Sequence, residues 1–395
     1  MRLNLSRVVF IFGLILLFAS PVLSGEKTGV MDDTILIGMI GPMTGPLTNV
    51  GSCINNGGML YFDEVNETGG INGRKLKIIM GDTQHLPSVS TATIKKLLER
   101  DEVFALWGGS GTNAILPVLP MMIDAKVPFQ DVFVSHPSLT NPVQHYIFRA
   151  GSIPADVFAR HMVMHAVRAF RPSKVVIVHE SGEYGKYGAQ QVEENLNKQK
   201  VALVGKEVYN MGDVDFTSQV VRVKEANPDV IFLYGYSKEA AIILRQAKEL
   251  GVKGKWIGSD ALSERTFAQL VGEVGTGFEA IWPWGTYLET SKDPEVVKFV
   301  EKYRKKYPMA PTGRPNIYDM VAYGSAKVFV EGLRRAGRDL TREGLIKGLE
   351  SISNFDSVFL GKVSFSATDH QGNKTSRFVR NEAGGERVLL DITYE

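Results

Sequence analysis

Residues 103–113 read Val103-Phe104-Ala105-Leu106-Trp107-Gly108-Gly109-Ser110-Gly111-Thr112-Asn113. The apolar run at the start is the pattern of a strand buried on both faces. Two glycines break it, and Ser110 then precedes a segment, Thr112 to Ala125, that reads as a helix. A serine at a helix start leaves backbone N–H groups pointing outward beside a hydroxyl. That suits a carboxylate or another small anion, and the glycines let a ligand come close to the main chain. An ordinary turn and cap would use the same residues, so the stretch takes its meaning from the rest of the chain.

Working outward, the same unit recurs. Met80-Gly81-Asp82, a helix, a buried strand and Trp107-Gly108-Gly109-Ser110 make one cycle; Met211-Gly212-Asp213, a helix, a buried strand and Tyr234-Gly235-Tyr236-Ser237 make another. Around them, strands fit Thr34–Ile40, Lys75–Met80, Lys174–His179 and Lys255–Gly258, and Glu183 to Gly188 reads as a polar loop before a helix. Two alternating β/α series imply an α/β fold of two similar doubly wound parallel-sheet lobes. Ligands of such sheets bind beyond the carboxyl ends of the strands, so two facing lobes share one cleft. Three late helical runs, 293–306, 317–336 and 341–351, cannot form a lobe alone and are expected to pack back on the first. The expected division is 27–148 plus 283–366 for lobe 1 and 149–282 plus 367–395 for lobe 2, with crossovers near 149, 282 and 367.

Composition bounds the class. The chain has 395 residues, 44% apolar and 22% charged, with a formal charge of +2. Arg2 and Arg7 account for that excess, so nothing suggests nucleic acid as a partner. These arginines precede an apolar run from Val8 to Phe18 and then Ala19-Ser20-Pro21-Val22-Leu23-Ser24-Gly25. Residues 1–24 therefore read as a secretory signal peptide. The run is shorter than the ~20 residues a spanning helix needs, so an exported, periplasmic protein is expected. Cys53, the only cysteine, reads as a small buried hydrophobe. His161 and His165 have a metal-compatible i, i+4 spacing, but with no third ligand in view a plain helix face is the better reading. No metal or other cofactor is expected.

The residues also resemble a known family. Gly41-Pro42-Met43-Thr44-Gly45-Pro46, Gly69-Gly70-Ile71-Asn72-Gly73-Arg74, Pro137-Ser138-Leu139-Thr140, Tyr184-Gly185, Asp215-Phe216 and Gly361-Lys362-Val363-Ser364-Phe365 are similar to the leucine/isoleucine/valine-binding branch of type I periplasmic binding proteins. The resemblance implies two lobes on three crossovers, a small carboxylate ligand in the cleft, most simply a branched-chain or other hydrophobic amino acid, and delivery to an ABC transporter permease. By position it implies that Ser110, flanked by Gly109 and Gly111, holds the ligand carboxylate. Val134 and Ser135 would add backbone and hydroxyl contacts. Tyr184 and Tyr236 would close over the ligand, and Asp260 would pair with an α-ammonium group.

The chain departs from the family around Asp131-Val132-Phe133-Val134-Ser135-His136, where Phe133 and His136 add bulk near the expected site. This keeps open an amine-free acid or an amide as ligand. Asp260 also reads as a helix cap, Trp107 as core, and Trp282 and Trp284 as braces of a crossover. A secreted hydrolase lacks a recognisable nucleophile or metal set, and a sensing module lacks a spanning segment; both rank below a binding protein.

Overall fold

The computed structural model describes residues 26–284, 291–309, 314–385 and 387–394. The expected signal peptide lies outside the described residues. In the first lobe the chain runs β1 (Thr34–Gly41), α1 (Thr48–Glu67), β2 (Lys75–Asp82), α2 (Pro87–Lys95), β3 (Ala105–Ser110), α3 (Thr112–Ile115), α4 (Leu119–Asp124), β4 (Phe129–Phe133) and β5 (Ile147–Arg149). These strands form a parallel sheet in the order β2-β1-β3-β4-β5. All six residues of β3 are buried, as its apolar run requires.

The second lobe holds α5 (Ala155–Phe170), β6 (Lys174–Glu180), α6 (Glu183–Lys198), β7 (Ala202–Tyr209), α7 (Thr217–Ala226), β8 (Val230–Tyr234), α8 (Ser237–Glu249), β9 (Lys255–Gly258), α9 (Arg265–Val271) and β10 (Glu279–Trp282). The chain then returns to the first lobe through α10 (Pro294–Lys306), α11 (Ile317–Ala336), α12 (Arg342–Glu350) and the short pair β11 (Phe355–Asp356) and β12 (Lys362–Val363). There α11 lies along α1 and against α12, as expected of helices too few to enclose a core of their own. Finally β13 (Arg377–Asn381) and β14 (Arg387–Leu389) add antiparallel edges, giving the order β14-β13-β10-β9-β8-β6-β7.

Two local expectations need correction. The helix read over 112–125 is broken into α3, a 3-10 turn at 116–118, and α4. Pro117 and Pro120 have no N–H to continue it. Glu183 to Gly188 is not a loop but the start of α6. His161 and His165 share one face of α5, and both are fully buried. His161 Nδ1 meets Ser376 Oγ at 2.8 Å, and His165 lies 2.6 Å from Glu279 and 3.1 Å from the Tyr394 hydroxyl, so the pair fastens the closing strands.

The crossings are tied to one another. Arg149, at the end of β5, is wholly buried and donates to Gln371 Oε1 at 2.8 Å and to the His136 carbonyl. Gln371 donates to the carbonyls of Ser152 and Asn373 at 2.8 and 2.6 Å, and Asn373 donates to that of Pro283. The Trp284 indole donates to the Gly151 carbonyl at 2.5 Å. The third crossing thus runs through residues 371–373. Below the cleft, Trp107 is fully buried and meets Phe62 edge-on at 5.2 Å. Gly58 of α1 makes room for it: a Cβ there would stand 2.5 Å from the indole.

Candidate functional site

The loop after β3 is shaped by Gly111 rather than by Ser110. Gly111 occupies the N-cap of α3 with φ +84° and ψ +118°. An L side chain there would be strained, and its Cβ would fall 2.0 Å from Cε1 of His85. Ser110 is instead the last residue of β3, paired with Phe133 of β4 and almost fully buried. It does not cap the helix, which overturns the reading of a serine cap.

Phe133 turns toward the cleft. Its ring meets Tyr318 edge-on at 4.9 Å and Trp284 at 6.0 Å. Opposite, the Tyr184 hydroxyl donates to Asp260 Oδ1 at 2.6 Å, and its ring stacks on Tyr236 at 5.4 Å. Asp260 does not cap a helix through its side chain; it lies in a 3-10 turn at 260–263 whose N-cap is Ser259. Burial pushes its carboxyl pKa up to about 6, and the bond from Tyr184 pulls it partly back. The Tyr236 hydroxyl is buried with no hydrogen-bond partner among the described residues.

These groups line a small pocket between the lobes, with free space of about 30 Å³. Leu47, Val50, Ser110, Gly111 and Phe133 line it from the first lobe; Tyr184, Tyr236, Asp260 and Ala261 from the second; Trp284 and Tyr318 complete the wall. A larger pocket of about 510 Å³ adjoins it and shares Leu47, Val50, Tyr236 and Tyr318. The lobes also touch beyond the cavity: His85 meets Tyr236 edge-on at 5.7 Å, His136 faces Tyr187 at 4.6 Å, and Asn316 donates to Glu264 at 3.0 Å. Burial holds the His85 imidazole at a pKa of about 4, so it is neutral near pH 7.

Of the residues singled out from sequence, Ser110, Gly111, Tyr184, Tyr236 and Asp260 meet at the cavity; Gly109, Val134 and Ser135 are outside its lining. Gly109 packs under Phe129 and Asp131. The Val134 N–H donates to both Asp131 oxygens at 3.0 and 3.1 Å, and the Ser135 carbonyl accepts from the Ala155 N–H at 2.7 Å. Trp284 braces the crossover and also lines the site. Sequence reasoning missed Leu47, Val50 and Tyr318, which come from a loop, the start of α1 and α11. The two Gly-Pro breaks at 41–46 were the available signal for the first.

The combination is an acid at one pole, a hydroxyl beside a helix start at the other, and apolar walls between. A sequence profile described as periplasmic binding protein matches residues 34–386. The chain belongs to the periplasmic binding protein family. It is a type I member, in the branch that holds the Leu/Ile/Val-binding proteins, and is a solute-binding protein rather than an enzyme. It is 24% identical to the leucine-, isoleucine-, valine-, threonine- and alanine-binding protein of Pseudomonas aeruginosa, over 81% of this chain and 84% of that one. It superposes with a TM-score of 0.78 and 23% identity on a branched-chain amino acid transporter substrate-binding protein from Streptococcus pneumoniae in complex with isoleucine, covering 91% and 99% of the two chains. A solute-binding protein from R. palustris in complex with benzoate gives 0.79 and 18%, covering 90% and 95%.

Proposed function

We propose that this periplasmic binding protein is exported, captures a small hydrophobic α-amino acid by closing its lobes, and delivers it to an ABC transporter permease. One observation carries the ligand class: Ser110 and Asp260, from different lobes, line the same small cavity with aromatic and aliphatic side chains between them. The ligand carboxylate sits at the Ser110–Gly111 turn, beside the Ser110 hydroxyl and the start of α3. The ligand ammonium pairs with Asp260 and supplies the cation that this buried acid otherwise lacks. Leu47, Val50, Phe133 and Tyr236 pack on the side chain. Because contacts to both lobes exist only in the closed form, ligand favours closure.

A second reading has its own support. Tyr184 already hydrogen-bonds Asp260, and a carboxyl with a pKa near 6 is readily protonated, so an amine-free acid also fits. Thermal shift and calorimetry with leucine, isoleucine and valine beside their deaminated counterparts separate the two. Saturating ligand at a hundred times Kd adds about 2.7 kcal/mol of stability. Stabilisation by the amine-free acids alone would defeat the amino-acid assignment. Uptake of the bound compound that is lost with the chain's partner permease tests the transport role.

A further inference from the structure

Helix α6 begins without a cap of its own. Its N-cap is Gly182, which has no side chain to offer. A helix start leaves N–H groups unpaired, and those at the second and third positions are the usual clients of a cap. Here the third, Gly185, donates to Glu180 Oε1 at 2.8 Å from within the same lobe. The second, Tyr184, donates to Oδ1 of Asn113 at 2.9 Å. Asn113 belongs to α3 of the other lobe. Its Nδ2 in turn donates to Glu180 Oε1 at 3.4 Å, so one amide meets both halves of the second lobe's cap. The fit is close: a Cβ on Gly182 would lie 2.3 Å from Asn113 Nδ2, and all its nearest neighbours are atoms of Asn113.

The structure assigns Asn113 as a cap delivered in trans, a positioning residue that completes α6 only when the lobes meet. This inference rests on the reading of the protein as a receptor that opens and closes. Asn113 does not line the cavity. It acts through Tyr184, which carries the wall stacked on Tyr236 and the hydroxyl bonded to Asp260. Opening the cleft strips the Tyr184 N–H of its acceptor; closing restores it. Closure therefore has a ligand-independent term, and the same contact sets the first turn of α6 before a ligand arrives.

The test uses the ligand-free mature chain. Amide hydrogen exchange reports the Tyr184 N–H, and X-ray scattering reports lobe separation. In Asn113→Ala the Tyr184 amide should exchange on the order of tenfold faster and the lobes should stand further apart. Asn113→Asp keeps an oxygen for that N–H but loses the donor to Glu180 and sets a carboxylate beside it, so it should restore part of the protection. Gly182→Ala is the counterpart on the other lobe. Its backbone, at φ −81°, suits alanine, and the atoms nearest the new methyl group all belong to Asn113; it should open the cleft alone and add nothing in the Asn113→Ala background. A Tyr184 amide equally slow in wild type and Asn113→Ala, or equal Gly182→Ala effects in both backgrounds, would overturn the assignment. Leucine that binds no variant would sink the amino-acid reading and leave this ligand-free comparison standing.

Discussion

Affinity for an α-amino acid should fall about tenfold between pH 7 and pH 5, because of Asp260. Its carboxyl is buried in the cavity wall with a pKa of about 6. Burial raises the folded value above the unfolded one, so the ligand-free folded state binds the proton more tightly. The Asp260 contribution to stability is therefore present below the unfolded pKa near 4 and lost as pH rises toward 6, by up to roughly 3 kcal/mol. A ligand ammonium reverses this preference, since it pairs only with the carboxylate. At pH 5 about a tenth of Asp260 is ionised, which sets the tenfold loss. The ligand's own amine stays charged over this range. Calorimetry with leucine from pH 5 to 8 checks the slope, and buffers of different ionisation enthalpy should show proton release on binding near pH 5. Asp260→Asn should bind more weakly and with no such slope. A wild-type affinity that is flat, or that rises toward pH 5, would refute the ammonium–Asp260 pair and favour an amine-free acid.

Ser110→Ala should weaken binding by roughly one to two decades in calorimetry, the size of a hydrogen bond to a charged group. Gly111→Ala should lower stability by on the order of 2 kcal/mol or more, read as a fall in melting temperature, from positive φ and the clash with His85; adding His85→Ala should relieve the clash but not the backbone strain. Arg149→Ala should cost about 3–5 kcal/mol in urea denaturation, since it leaves Asp131 buried without its cation. Arg149 Nε lies 3.9 Å from Asp131, whose carboxyl is pushed up by burial and pulled down by that charge and by backbone N–H groups.

The β/α alternation and the glycine-broken strand at 105–110 were legible because both are local patterns: β3 needs only its own apolar residues to announce burial. Ser110, Tyr184, Tyr236 and Asp260 were found through family position, and each stands at the cavity. The cavity's remaining walls were not legible. Phe133 was placed near the site, but Trp284 and Tyr318, which both meet its ring, lie 151 and 185 positions further along the chain, and no periodicity encodes such a meeting. Pro117 and Pro120 were visible and should have broken the helix expected at 112–125. The early start of α6 was hidden for a physical reason: Gly182 is a poor cap, and its replacement, Asn113, is 69 positions away on the other lobe. The Ser110 cap failed because Gly111, one residue on, took that position.

The buried links among Arg149, Gln371, Asn373, Pro283 and Trp284 have a mechanical result. Three separate strands of chain would give the lobes freedom to twist, slide and splay. Riveted side by side, they flex as one leaf spring with a single soft direction. Under the proposed function, a membrane permease would then meet a shape with few intermediate poses, and the presence of cargo would be reported as a posture rather than as a graded loosening.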